Sequence, residues 1–407
     1  MSKAVYAIAT MDTKGEEIMF VANALRAARV EVKTVDVGTL ASPTVRADIS
    51  RDQVLLLGAG KSPDSLGSDR GQAVSAMSEA LRAFVLNESM HERVAGVIGI
   101  GGSGGTAIIT TAMRALPIGL PKMMVSTMAS GNVAPYVDCS DITMMYSVVD
   151  IAGLNAVSRR VLGNAAHAMA GMVSQDNYAV DARPTLGMTM FGVTTECVSA
   201  VREQLESKGY DCLVFHATGS GGRAMEKLVA SGLIQGVLDL TTTEVADEVV
   251  GGVMPAGQDR FDITIEKQIP FVLSLGALDM VNFGAAETVP SRFKGRKLHI
   301  HNAQVTLMRT SAEENRQFAR WIANKLNRAT APVIVLIPEQ GLSMIDAAGQ
   351  PFFDPAADAA LFDELELCLK QDSLRKLIRL PYHINDAAMA TAMVNAYLTL
   401  TTTVEGN

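Results

Sequence analysis

Short apolar runs alternate with amphipathic stretches along nearly the whole chain. AVYAIAT reads as a strand, GEEIMFVANALRAA as a helix and EVKTVDVG as a second strand. DRGQAVSAMSEALRAFVL then predicts a helix, VAGVIGI a strand, TAIITTAMRAL a helix, KMMVSTMA a strand and LNAVSRRVLGNAAHAMAGMV a long helix. A second series follows: strand TLGMTMFG, helix ECVSAVREQLESKG, strand CLVFHA, helix GGRAMEKLVASG and strand GVLDL. Strand PFVLSLG, helix AEENRQFARWIANKLN, strand PVIVLIP and helix PAADAALFDELELCLKQ complete it. Asp354 is placed to cap that last helix and Pro355 to open it. Such alternation is the signature of an α/β fold with a mainly parallel sheet.

The polar, proline-ended segment SQDNYAVDARP separates the two series near residue 180. The expectation is two Rossmann-like three-layer domains, residues 1–180 and 181–407, facing each other across a cleft. The halves look alike at two places. Each opens with a strand running into a threonine-containing turn, TMDTKGEE at 10–17 and FGVTTECV at 191–198. Each also has a strand feeding a glycine-rich turn, GIGGSGGT at 99–106 and HATGSGGR at 216–223.

Composition narrows the setting. At 48% hydrophobic and 19% charged residues the chain is globular, and a net charge of −8 argues against nucleic acid or an anionic membrane as partner. The four cysteines form no Cys-x-x-Cys pair, and the N-terminal residues contain no signal-peptide core, so the expected location is the cytoplasm.

Two segments compete as phosphate loops. LLLGAGKSPDS, residues 55–65, ends like a nucleotide-triphosphate motif, but Leu55 stands where the first glycine should be and Gly67 interrupts any following helix. It reads as a lysine, Lys61, in a turn after a short strand. VAGVIGIGGSGGTAIITTAMRAL has what that decoy lacks: a strand, a glycine loop and an uninterrupted helix. Gly99, Gly101 and Gly104 match G-x-G-x-x-G, with Gly102, Gly105, Ser103 and Thr106 around them. Glycines let backbone approach an anion, and a helix N-terminus offers free N–H groups; a tight strand–helix connection without a ligand is the plainer alternative. No carboxylate ends the next strand to take a ribose, so NAD is disfavoured against a mononucleotide or phosphate ester. That strand end carries Ser126, Thr127, Ser130 and Gly131 instead, a second set of anion donors.

Further candidates sit at other strand ends. Asp12, Thr13 and Lys14 follow the first strand, where lysine could neutralise phosphate and the aspartate could hold Mg²⁺. Thr13 and Glu16 also have capping-box spacing. In the second half Thr218, Gly219, Ser220, Gly221 and Gly222 repeat the strand–loop–helix setting, and Thr242 and Glu244 follow another strand. His299 and His301 have strand spacing, but a structural role is favoured over a metal pair. Arg309, with its forked guanidinium, is the stronger oxyanion ligand there.

The motifs DTKGEE, GIGGSGGT, VSTMASGN, DITMMYSVVDIAGLN, FHATGSGGRAMEKL, LDLTTTEVADE, SLGALDMVNFG and HIHNAQVTLMRT run in order across the chain. In them the sequence resembles a family of largely uncharacterised bacterial and fungal proteins. These are similar to the ATP-binding N-terminal region of a tomato protein that blocks tomato mosaic virus replication. The resemblance implies two α/β domains, nucleotide binding and a tendency to homodimerise. In plants a TIM-barrel domain follows in the same chain, so here such a barrel would be a separate partner. The resulting expectation is ATP, with Mg²⁺, held in the interdomain cleft. The rival readings are an enzyme acting on a small phosphorylated or carboxylated metabolite, and a binding module whose nucleotide tunes a protein contact.

Overall fold

The computed structural model describes residues 3–60, 69–175 and 183–404. The chain divides into two compact units, Met1–Val180 and Asp181–Asn407. Among the described residues no helix is long and apolar enough to cross a membrane, and the four cysteines are free thiols.

The first unit runs β1 (Ala4–Ala9), α1 (Met11–Ala27), β2 (Val32–Asp36), α2 (Arg51–Ala59), α3 (Arg70–Met90), β3 (Val94–Gly101) and α4 (Ser103–Ala115). It continues through β4 (Lys122–Ser126), α5 (Ala134–Val137), β5 (Thr143–Tyr146) and α6 (Ala156–Ser174). Its sheet has the order β2-β1-β3-β4-β5, and every pair is parallel. Alternation along β1 shows why three layers form. Ala4, Tyr6 and Ile8 pack with α2, α3 and α4, whereas Val5, Ala7 and Ala9 pack with α1 and α6. A strand buried on both faces reads as a continuous apolar run, as this one does.

The second unit runs β6 (Thr185–Met190), α7 (Thr195–Glu206), β7 (Asp211–His216), α8 (Ser220–Ala230), β8 (Gly236–Thr241), α9 (Thr243–Val250), α10 (Asp262–Glu266) and β9 (Phe271–Gly276). A small antiparallel sheet of β10 (Met280–Phe283), β11 (Leu298–Asn302) and β12 (Val305–Arg309) is inserted next. Then come α11 (Ala312–Leu326), β13 (Val333–Pro338), α12 (Pro355–Cys368), β14 (Arg375–Leu380) and α13 (Ala387–Val404). The main sheet, β14-β13-β9-β8-β6-β7, is parallel throughout. Asp354 caps α12 through the Ala357 amide at 3.1 Å, with Pro355 in the first turn.

Both sheets place the unit's first strand between its second and third, the doubly wound order. The topology thus makes β1 and β6 equivalent, together with the turns after them. It does not make the two glycine turns equivalent: residues 99–106 follow the interior strand β3, and residues 216–223 follow the edge strand β7.

Around the decoy loop the structure departs from the expected strand. Residues 51–59 form α2, because Ser50 and Gln53 make a reciprocal capping box and Gly60 closes the helix at φ 61°. Lys61 and Ser62 lie outside the described residues. Helix α1 likewise starts at Met11, with Thr10 as N-cap and a kink at Lys14. The Thr13–Glu16 capping box does not form.

Helix α2 crosses α3 at Gly58, where an added Cβ would lie 1.9 Å from the Ala80 carbonyl oxygen. Alanine is ordinarily the better helix former by about 1 kcal/mol, but a backbone clash cannot relax by rotating a side chain. Gly58→Ala is therefore expected to destabilise the protein by roughly 1–3 kcal/mol in urea unfolding; an increase in stability would show that the helices separate freely.

Candidate functional site

In doubly wound sheets ligands bind outside the carboxyl ends of the strands where the strand order reverses. In the first unit that point lies between β1 and β3, because α1 leaves β1 toward one face and α4 leaves β3 toward the other. A crevice of about 250 Å³ opens there. It is lined by Thr10, Asp12, Thr13 and Lys14 after β1, Thr39 and Leu40 after β2, Gly102–Gly105 and Ile108 on the β3–α4 turn, and Arg70 and Val74 of α3.

The glycines of this turn have different reasons to be glycine. A Cβ on Gly101 would meet the Gly105 and Thr106 backbone at 3.0 Å, so packing requires it. At Gly102 and Gly104 the nearest atoms, Thr127 Oγ1 and Val74 Cγ2, are 3.9 Å away. Neither has positive φ. Neither packing nor backbone geometry asks for glycine at these two positions; their missing side chains leave the crevice open. Helix α4 has no side-chain cap at Gly102, so its first-turn amides, the positive end of the helix dipole, face this space.

Charged groups surround that end. Lys14 donates to the Ile151 carbonyl at 2.8 Å, which fixes its ammonium beside the crevice. The side chain of Arg70, which the sequence motifs did not single out, makes no hydrogen bond or ion pair among the described residues. Asp12 Oδ2 accepts from the Leu40 and Ala41 amides at 3.1 and 3.4 Å, and among the described residues Oδ1 has no hydrogen bond. Asp36 accepts from the Met11 and Gly38 amides; burial, with a smaller contribution from neighbouring Asp12, nonetheless pushes its carboxyl above the ordinary range. The Thr13 hydroxyl donates to the Thr10 carbonyl.

The second donor set splits. Thr106 and Ser126 are fully buried and share a 2.6 Å hydroxyl contact, and Ser126 also accepts from the Met128 amide. They tie α4 to β4 and offer nothing to solvent. Thr127 is half-buried, while Ser130 and Gly131 are exposed.

The second glycine loop is built for another purpose. Glu244 Oε1 accepts from the Gly219 and Gly222 amides at 2.7 and 3.1 Å, so an internal carboxylate already sits where an anion would. Gly219 has φ 83°. A Cβ on Gly221 would lie 1.8 Å from the His216 carbonyl oxygen, and one on Gly222 2.1 Å from Glu244. These glycines serve the fold. Ser220 is exposed, whereas Thr218 stays local through the His216 carbonyl. Thr242 is buried and donates to the Ser274 carbonyl. Glu244 also belongs to a buried cluster in which Arg260 faces Asp239, Glu226 and Glu244 at 2.7, 2.8 and 3.0 Å.

Arg309 does not present its guanidinium to a ligand. It is 4% exposed and spends every nitrogen internally: on the Phe352, Asp354 and Asp279 carbonyls, the Thr310 hydroxyl, and Asp358 at 2.6 Å. Asp346 lies 3.5 Å away. One arginine here faces three carboxyls, and burial pushes Asp279, Asp346 and Asp358 up to about 7. His299 stands edge-on to Phe352, its ring centroid 6.2 Å away, and His301 is exposed. Among the described residues no group of three or more His, Cys, Asp or Glu could hold a metal.

Fold and site together define a two-unit, doubly wound α/β protein with an open crevice at a strand-order reversal of its first unit. Profiles described as the Uncharacterised protein family (UPF0261) N-terminal domain and C-terminal domain match residues 3–178 and 183–401. The chain belongs to the UPF0261 family. A UPF0261 protein of Rhizobium meliloti is 54% identical over 396 residues, covering 97% of this chain and 98% of its own. The ToMV resistance protein Tm-1 of Solanum lycopersicum is 48% identical over 419 residues, which span 98% of this chain but 56% of the tomato protein. Among solved structures, the UDP-GlcNAc 2-epimerase from Methanocaldococcus jannaschii aligns over 98% of this chain and 93% of its own, at 9% identity and a TM-score of 0.21, too low to bear on function.

Two predictions follow from the Arg309 cluster. Arg309→Met removes the cation that faces three buried carboxyls, so it should cost about 3–5 kcal/mol of stability. Urea unfolding of the variant against the wild type measures this loss. The three aspartates also set a pH dependence. Their folded-state values lie above the unfolded value near ~3.9, so the folded chain retains protons that the unfolded chain releases. That contribution is fully present below about pH 4 and is lost as pH rises through about 7. Urea unfolding from pH 5 to 8 should show stability falling with pH, and Asp346→Asn should flatten the slope. An unchanged slope would mean that the cluster holds no proton.

Proposed function

We propose that this protein binds a nucleotide, ATP with Mg²⁺, and that the crevice between β1 and β3 of the first unit seats its phosphates. The observation that carries this reading is the pair Gly102 and Gly104, whose missing side chains serve neither packing nor backbone geometry. Phosphate oxygens accept from the first-turn amides of α4, and Lys14 and Arg70 supply the positive charge. Asp12, through its remaining carboxylate oxygen, would hold Mg²⁺, which ordinarily takes one or two protein carboxylates and would neutralise phosphate charge there. Among the tomato relatives one is named for resistance to a virus, a label that says nothing about the crevice chemistry.

A second reading is favoured by one quantity. The crevice, about 250 Å³, falls below the roughly 300–1,000 Å³ usual for a pocket that encloses a drug-sized ligand. A small phosphorylated metabolite would fit it without an extended seat for a base. Steady-state phosphate release separates an ATPase from a protein that only binds.

Titration calorimetry of the full chain with ATP and Mg²⁺ tests the site. A Cβ at Gly104 meets only Val74, at 3.9 Å, so Gly104→Ala should keep or raise the Tm while weakening ATP at least tenfold, about 1.4 kcal/mol. Gly104→Trp should abolish binding. Unchanged affinity in both variants overturns the assignment.

A further inference from the structure

We infer that the strand ends of β4 and β5 form the seat for the base of a nucleotide whose phosphates lie in the crevice, an assignment that rests on the nucleotide reading above. Three large apolar side chains are exposed together at this edge: Met128 at 36%, Tyr146 at 43% and Val148 at 57%. Scattered apolar residues on a surface need no explanation, but a cluster beside a polar cleft does.

The end of β4 lies beside the phosphate turn, next to the residues that line the crevice. Thr127 Oγ1 lies 3.9 Å from where a Cβ of Gly102 would stand, so the end of β4 adjoins the phosphate turn. Ser126 and Tyr146 are register partners across β4 and β5, and the Ser147 amide donates to the Ser126 carbonyl at 3.2 Å. From β3 to β5 is two strand spacings, about 10 Å. The strand between them, β4, is followed by the hydroxyl residues Thr127 and Ser130, beside which a ribose would pass. An anion-binding end, a hydroxylated middle and an apolar, partly aromatic end in this sequence match a nucleoside phosphate rather than a small sugar phosphate.

The segment after β5 carries a second indication. Val148 has φ 66°, a conformation that a β-branched residue adopts only at a cost and that the surrounding structure must enforce. The enforcement is visible: the Ser147 hydroxyl donates to the Val149 carbonyl at 2.6 Å, Lys14 to the Ile151 carbonyl, and the Gly153 amide to Glu17 at 2.6 Å. Lys14, a crevice residue, is thereby bonded to the loop that holds Val148 out to solvent.

The test compares ATP with tripolyphosphate, each with Mg²⁺, by calorimetry on the full chain. The wild type should bind ATP more tightly. Tyr146→Ala and Met128→Ala should each weaken ATP roughly tenfold, the size of a lost base stack, and leave tripolyphosphate unchanged, while Tyr146→Phe retains ATP affinity. Photolabelling with 2-azido-ATP should mark the peptides containing Met128 or Tyr146. Leu40, 67% exposed on the β2 side of the crevice, offers the competing seat. A label on Leu40, a selective loss of ATP in Leu40→Ala, full ATP affinity in both alanine variants, or equal wild-type affinity for the two ligands overturns the base seat and leaves the phosphate seat standing. A wild type that binds neither ligand overturns the nucleotide reading itself and the base seat with it.

Discussion

Everything that could act as a site in the first unit depends on one constraint: the parallel strand order reverses between β1 and β3. Right-handed crossovers then carry α1 to one face of the sheet and α4 to the other. The two segments leave adjacent strand ends in opposite directions, so neither of them fills the gap between them. The gap receives the free end of the α4 dipole, the side chains after β1, and Arg70 from a helix that starts about thirty positions earlier in the chain.

The second unit has the same strand order, and there the corresponding ends are closed. Thr194 and Thr241 join through their hydroxyls at 2.7 Å. The Met344 amide reaches the Val193 carbonyl and the Ala277 amide the Leu342 carbonyl, so residues 342–344 pack on these ends. Thr241, Thr242 and Thr243 are buried. Topology permits a crevice without guaranteeing one; what the following loop does decides the matter.

Buried charge is the other theme of the second unit. Arg260 and Arg309 each face three carboxyls. Burial pushes Glu226, Glu244, Asp279, Asp346 and Asp358 toward the protonated form, because ionising every carboxyl around one arginine would leave excess negative charge in a low-dielectric interior. Such clusters orient the elements around them more than they stabilise the fold. They also explain how residues that look like ligand donors in the sequence, Glu244 and Arg309, become scaffold.

Much of the architecture was legible along the chain, because strands buried on both faces are apolar runs and their covering helices are amphipathic. The apolar runs of β1, β3, β6, β8, β9 and β13 and the capped start of α12 all declare themselves locally. Helix α2, with a weakly amphipathic face and an apolar run that mimics a strand, did not; its capping box and its crossing with α3 decided it. The short edge strand β5 and strands β10 and β12 of the inserted sheet gave too little pattern to read, whereas β11 showed through the strand spacing of His299 and His301. Of the candidate site, the glycine turn at 101–105 and the group at 12–14 were visible as motifs. Arg70 was not, since no local spacing links it to them. The two glycine loops look interchangeable as strings. Only the tertiary structure separates them, because whether a glycine leaves room for a ligand or merely for Glu244 depends on which atoms from distant parts of the chain stand where its side chain would have been.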